Sequence, residues 1–391
     1  MTDVRNKSSS GYAKSILKEA FSQISARLGL FWIGVIAFLA VFAPFIASSH
    51  PYLMRSEEGI SSPLLQYLSP ADVILVVLFV TVVVLAFLKR QLWFNALVIL
   101  SVLMISSMLS FLLVEPPQLI VYEQYREMER NGKTEWVINA PIPYSAKDYL
   151  RDHGETGMQT PLSQKDRTHW FGTEQSGADV LSRMIHASRI ALAIGFIATG
   201  IAMLIGVILG GLMGYFSGIV DMLGMRLVEI FEAIPTLFLL LTFVAFFGSS
   251  LYLMMVIIGI TTWPGYARFV RAEFLKLRKM DYVQSAISCG LPLRSILFRH
   301  MLPNGVAPVL VAASFGVASA ILFEAILSFL GLGLVDSPSW GQMLNQAVQS
   351  ASFYWWMAFF PGGAIFLTVF AYNLMGEAMR DAIDPYLKKN Q

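Results

Sequence analysis

Apolar runs long enough to cross a bilayer recur along the chain, separated by short charged turns and by one long polar segment. A spanning helix needs about 20 mostly apolar residues to traverse ~30 Å of hydrocarbon. Residues 29–47 form the first run and contain no charge. The run passes Pro44 into a polar loop with no small-residue cleavage site, so it reads as an uncleaved anchor. Residues 73–88 and 92–114 read as a helical hairpin closed by Lys89-Arg90-Gln91. Further runs follow at 190–216, 227–247, 251–266, 306–332 and 357–375, so the pattern predicts eight spans with both termini on one side of the membrane.

Charge placement gives that side. Lysine and arginine collect in cytoplasmic loops. Arg5, Lys7, Lys14, Lys18 and Arg27 precede the first run, and Arg268, Arg271, Lys276, Arg278, Lys279, Arg294 and Arg299 face only Glu273 and Asp281 in 268–303. This predicts a cytoplasmic tail over 1–28, three spans over 29–114, an external segment over 115–188 rich in proline, and a five-span core over 189–391 with its main cytoplasmic loop at about 273–304. The predicted class is an all-α integral membrane protein in which the second and third spans form an extra hairpin.

Composition agrees with that class. The 391 residues are 56% hydrophobic and 14% charged, with a mean hydropathy of +0.62. A soluble globular domain, a disordered chain and a nucleic-acid binder are all excluded, the last because the net charge is only +2. One cysteine, Cys289, leaves neither a disulfide framework nor a cysteine metal site.

Candidate chemistry is sparse. Gly206, Gly210, Gly214 and Gly218 recur every four residues, a helix face that lets backbones approach closely. Glu229 and Glu232 lie at the start of the fifth run, before Pro235, and Glu324 lies inside the seventh; intramembrane carboxylates need a partner or water. They are either structural or, if the chain is an ion-coupled carrier or channel, ion sites. Against a carrier, no internal repeat is visible. The five histidines show no metal-ligand spacing, no nucleophile elbow occurs, and Gly132-Lys133-Thr134 lacks the glycine a phosphate loop requires five residues earlier.

The loop residues are more specific. Gln284-Ser285-Ala286, Gly290, and Arg299-His300-Met301-Leu302-Pro303-Asn304 resemble the EAA loop of permease subunits of ABC importers, with Gln284, Ser285 and His300 departing from the usual letters. The ending resembles the oligopeptide, dipeptide and nickel branch. His169-Trp170-Phe171-Gly172-Thr173-Glu174 with Gly177-Ala178-Asp179-Val180-Leu181-Ser182-Arg183, Leu327-Ser328-Phe329-Leu330-Gly331-Leu332-Gly333 with Pro338-Ser339-Trp340-Gly341, and Asp381-Ala382-Ile383-Asp384-Pro385 are similar to further stretches of its C-type subunit. Ala178 replaces the usual arginine. Ala140-Pro141-Ile142 points weakly to the microcin C and peptide offshoot.

The resemblance implies a type I ABC importer permease fold in a bacterial inner membrane. It implies a B-type permease, two ATPase subunits and a periplasmic or lipid-anchored solute-binding protein as partners, with lipid around them. ATP and magnesium would sit on the ATPases, and no cofactor or catalytic site on this chain. Asp281, Gln284, Ser285, Ala286, Gly290, His300, Leu302 and Pro303 become the expected ATPase-coupling residues, with the small Ala286 and Gly290 on one helix face, and Gly290 ending that helix. Glu324 and Trp340 become candidates for the pathway, Tyr354, Trp355 and Trp356 for the pathway or an interfacial belt, and Gly206, Gly210 and Gly214 for helix packing. Peptide, peptide antibiotic, nickel complex and opine remain open as cargo.

Overall fold

The computed structural model describes residues 19–56, 59–88, 92–117, 120–150, 158–162, 169–334 and 337–383. The hairpin turn 89–91, most of the N-terminal tail and Asp384-Pro385 lie outside them. Seven described helices have the length and composition of a span: α1 (Ile24–Val41), α2 (Pro70–Leu88), α3 (Leu92–Leu113), α4 (Val180–Phe216), α7 (Leu251–Leu277), α9 (Leu302–Phe329) and α11 (Trp355–Ile383). The expected fifth span is broken. Its two pieces, α5 (Gly218–Ala233) and α6 (Thr236–Phe247), meet at 77°. Pro235 explains the break, because it has no N–H for the helical ladder and drives Ile234 into an extended conformation, at ψ 123°.

The centre of the bundle is the pair α4 and α7. A Cβ on Gly206, Gly210 or Gly214 would sit 2.4 Å from Tyr266 Cβ, 2.4 Å from the Ala267 carbonyl oxygen and 2.5 Å from Phe274 Cβ respectively. Gly259 answers from α7, where a Cβ would meet Ile201 at 2.7 Å. Backbone contact along four turns is why these positions carry no side chain. Gly218 does not extend the seam; it lies beyond the end of α4 at φ 58°, in open space. Helix α7 continues to Leu277, so Arg268, Arg271 and Lys276 are helical and not part of a loop as the charge pattern suggested. Arg271 forks onto both oxygens of Asp221, tying α5 to α7. Helices α9 and α11 pack on the pair, and α1 on α11, where a Cβ on Gly29 would lie 2.7 Å from the Ala371 carbonyl oxygen.

The extra hairpin of α2 and α3 stands apart, with most of its apolar side chains exposed. It joins the core at one end. Phe79 meets Phe42 edge-on at 5.3 Å. Arg189 of α4 holds the Ala40 and Val41 carbonyls at 2.5 and 3.1 Å and pairs with buried Asp72 at the start of α2.

The described residues of the polar segment form a small fold that recruits residues from before the hairpin. Strands β1 (Leu53–Ser56), β2 (Gly59–Ser61) and β3 (Thr134–Ile138) form an antiparallel sheet in the order β2-β1-β3, with Met54 opposite both Ser61 and Val137. Ile142 bridges to Ala47. Under the sheet, Arg126 spans Glu123 at 2.6 Å and both oxygens of fully buried Asp148 at 2.6 and 2.9 Å, and Ser49 donates to the same carboxylate. His50 stacks on Tyr67 at 3.9 Å. Burial holds this imidazole down at about 4, partly opposed by Asp148 and aided by Arg126. The polar side of strands this short is not separable from loop by alternation alone, so the sheet went unread in the sequence.

Candidate functional site

Two features of the core carry the chemistry. The first is a short helix, α8 (Asp281–Ser288), after α7. Val283 and Ala286 are its buried positions, packed on Val270, Phe274 and Leu277 of α7 and on Ile296, Met301 and Val309. Asp281, Gln284 and Ser285 point outward, together with Tyr282, Ile287 and Ser288. The helix ends in a paired bond pattern: Leu291 N–H donates to the Ala286 carbonyl at 3.2 Å, and Gly290 N–H to that of Ile287 at 2.9 Å. This closure requires a left-handed residue at Gly290, found at φ 68°. Ala286 and Gly290 therefore do not share an outward face. Ala286 turns inward, and Gly290 lies past the helix with no atom within 4 Å of a Cβ placed on it.

Beyond Gly290 the backbone opens into a wide π turn over Ile296–Met301 before α9 begins. Pro303 contributes to it, since a missing N–H leaves the carbonyl one turn earlier without its usual donor. His300 is half-buried in that turn, its carbonyl accepting from Asn304 Nδ2 at 2.7 Å; Leu302 is half-buried against the α8 cluster and Pro303 is exposed. Arg278, at the end of α7, donates to Ser217 Oγ at 2.7 Å and lies over Tyr215, clamping this region to the end of α4.

The second feature is a cavity of about 660 Å³ between α5–α6, α7, α9 and α11. Phe231, Thr236, Thr261, Tyr266, Phe315 and Ser319 line it, and Arg380 stands at its edge. The break at Pro235 and the internal prolines Pro264 and Pro308 all fall on its wall or beside it, so irregular backbone meets an open space and not lipid. Glu232 lines it too and is ion-paired with Arg268, whereas Glu229 pairs with Arg226 on an exposed helix face.

Glu324 and Trp340 are elsewhere. Glu324 is buried and accepts from Ser328 Oγ at 2.6 Å. Trp340, equally buried, opens α10 (Trp340–Gln349) and donates to the Met184 carbonyl at 3.2 Å. Here Gly341 approaches α9 so closely that a Cβ would lie 2.3 Å from the Ala325 carbonyl oxygen. Trp356 is likewise interior, bonded to the Thr173 carbonyl at 3.2 Å, while Trp355 is half-exposed and packs its ring against Trp356, Phe359 and Phe360. The stretch before α4 is an N-terminal closure: Asp179 caps the helix at Ser182 N–H, 2.7 Å, and pairs with His169 at 2.8 Å. Ala178 is fully buried. Among the described residues, no three His, Cys, Asp or Glu side chains are grouped to hold a metal ion.

Residues 206–389, which contain α8 and most of the cavity wall, match the family of binding-protein-dependent transport system inner membrane components. The similarity extends further in individual relatives. The oligopeptide transport system permease protein OppC of Haemophilus influenzae is 37% identical over 246 residues, covering 63% of this chain and 77% of that protein. The chain belongs to this transport family. The dipeptide permease protein DppC of Alkalihalophilus pseudofirmus is 38% identical over 240 residues, covering 60% and 78% of the two chains. The glutathione permease protein GsiD of Pectobacterium atrosepticum is 40% identical over 248, covering 63% and 80%. As a member of the family, the chain is a multi-pass inner-membrane permease. The exposed apolar residues on α8, Tyr282 and Ile287, and flanking it, Met280 and Leu291, were given no role in the sequence reading. The available signal was an octet mixing polar residues with Tyr282, Val283, Ala286 and Ile287 that no span accounts for.

Proposed function

We propose that this permease is one of two that together form the pathway of an ATP-driven importer for peptides or peptide-like solutes, with α8 as the contact to an ATPase subunit. One observation carries the reading. The buried side of α8 rests on Phe274 and Leu277 of α7, and the same helix supplies Thr261, Tyr266 and Phe269 to the cavity wall. A displacement of α8 is thereby delivered to the cavity through one rigid helix. Asp281, Gln284 and Ser285 meet the ATPase, Ala286 and Leu302 seat the helix, and Gly290, His300 and Pro303 shape its exit.

The proposal includes an orientation, which the same geometry and the placement of basic residues support. The polar module adjoins the start of α4 and α8 lies by its far end, and 37 residues of helix span about 55 Å. With the basic ends of α7 and the α8 region cytoplasmic, both termini are cytoplasmic and the polar module faces outward. On this reading the external part combines the stretch between α1 and α2 with the segment after α3, and the core begins at Val180. Peptidic cargo is supported by the oligopeptide, dipeptide and glutathione permeases among the relatives, and ATP with magnesium binds the partner subunits.

The test is reconstitution. The chain is assembled in proteoliposomes with its partner permease, the ATPases and the solute-binding protein, and uptake of a tritiated oligopeptide is followed. Uptake that needs ATP and stops when α8 is altered supports the proposal. Uptake by the chain alone, driven by an ion gradient, would replace it with a secondary carrier.

A further inference from the structure

The wall of the core cavity offers an occupant few free polar groups. Its hydroxyls are engaged with the protein's own backbone. Thr261 donates to the Ile257 carbonyl at 2.9 Å, Thr262 to that of Ile258 at 2.7 Å, Ser319 to that of Phe315 at 3.0 Å and Tyr266 to that of Ala312 at 3.5 Å. Much of the remaining lining is aromatic, with Phe231, Phe269, Phe315 and Phe323. Such a wall accepts many apolar side chains and selects weakly among them.

Two lining residues are charged, and they differ in availability. Glu232 is ion-paired with Arg268. Arg380 is exposed and, among the described residues, forms neither a hydrogen bond nor an ion pair. It is the one cation in the lining, and its planar fork of five N–H donors matches the two oxygens of a carboxylate.

Arg380 also has a defined level along the cavity. Helix α9 lines it from Pro308 to Phe323, about 22 Å of helix, whereas α11 contributes only Arg380 and Ile383 from its last turn. Met379 and Ile383 pack on Val311 and Phe315, so the cation stands near the start of α9, at the end of the cavity closest to α8. In the proposed orientation this is the cytoplasmic mouth. A peptide of about six extended residues would reach from it to the level of Phe323.

We propose that Arg380 is a specificity-determining residue of the pathway, holding the terminal carboxylate of the cargo at the inner mouth while the aromatic wall takes side chains of any order. The inference rests on the importer reading and deepens it by naming what this chain recognises: an end group common to linear peptides of every sequence.

The assembled importer in proteoliposomes is given a tritiated tetrapeptide or its C-terminally amidated twin, with the unaltered chain, Arg380→Gln or Arg380→Lys. The quantity read is the ratio of acid to amide in initial ATP-driven uptake. Any preference of the solute-binding protein is the same in all three assemblies and divides out when their ratios are compared. The ratio should fall about tenfold in Arg380→Gln through loss of a charge-assisted contact. It should recover in part in Arg380→Lys, which keeps the charge without the fork. An unchanged ratio in Arg380→Gln would overturn the proposal. So would an equal loss for both peptides, the outcome for a contact to lipid headgroups or to the ATPase. Binding of the two peptides to the same assemblies in nanodiscs, without nucleotide or binding protein, separates this inference from the importer reading. ATP-driven uptake with one common ratio keeps the importer and rejects the carboxylate site. A binding ratio that falls in Arg380→Gln, with no ATP-dependent uptake by the unaltered assembly, does the reverse.

Discussion

Replacing Gly290 by valine should uncouple the permease without displacing it from the membrane. A non-glycine residue held in the left-handed region costs about 1–2 kcal/mol, and a β-branched one more. Escape from that region breaks the two closing hydrogen bonds of α8, each contributing about 1 kcal/mol. Either route removes about 2–3 kcal/mol from an eight-residue helix, which is too short to persist unaided. Its main anchor, fully buried Val283, contributes about 1.5–3 kcal/mol, so the loss is comparable with what docks the helix. Steric collision plays no part, since the space around Gly290 is open. Gly290→Asn, which tolerates left-handed backbone, is therefore the control. Cys289, the lone cysteine, is exposed at the end of α8 and reports its state by maleimide labelling. ATP-driven uptake should fall by about tenfold or more in Gly290→Val, at 1.4 kcal/mol per factor of ten, with altered Cys289 labelling, and stay near normal in Gly290→Asn. Normal uptake and unchanged labelling in the valine variant would refute the reasoning.

Three further outcomes are expected. Gly210→Val, placing a branched side chain 2.4 Å from the Ala267 carbonyl oxygen, should destabilise the bundle by about 1–3 kcal/mol or more, seen as a lowered melting temperature in detergent. Asp72→Asn should loosen the hairpin by about 3 kcal/mol through the unpaired Arg189, read as faster proteolysis between α1 and α2 with the core intact; an unchanged digest would exclude this attachment. His50 is held down at about 4 against an ordinary 6.5, so the unfolded module binds the proton first as pH falls. Stability present above pH 6.5 is then lost on the way to about pH 4, to the order of 3 kcal/mol, and His50→Phe should flatten acid unfolding across that window.

Much of this was legible in the chain because bilayer-length apolar runs, glycines at spacing four and the spacing from Gln284 to Pro303 are local signals. What escaped was non-local. Trp340 is buried and donates to the Met184 carbonyl of α4, and Gly341 beside it packs on Ala325 of α9; both depend on how α10 folds back on the bundle, which no run or period encodes. The sheet joins β1 to β3 across the whole hairpin, so neither half carries the pattern alone. Gly290 was read correctly as a helix end, but the inward turn of Ala286 follows from the packing of α7 and not from its own neighbours.

The backbone-to-backbone seam between α4 and α7 also bears on how force travels. Side chains that interdigitate can yield by changing rotamer, whereas main chains touching through glycine have no such slack. The two helices must move as a single beam, so work done at one end arrives at the other almost undiminished. Such a beam would also make the transporter intolerant of partial motion: cargo access would switch between discrete positions of the whole lever, and a softened seam would leak stroke before it lost affinity for either the fuel-burning partner or the solute.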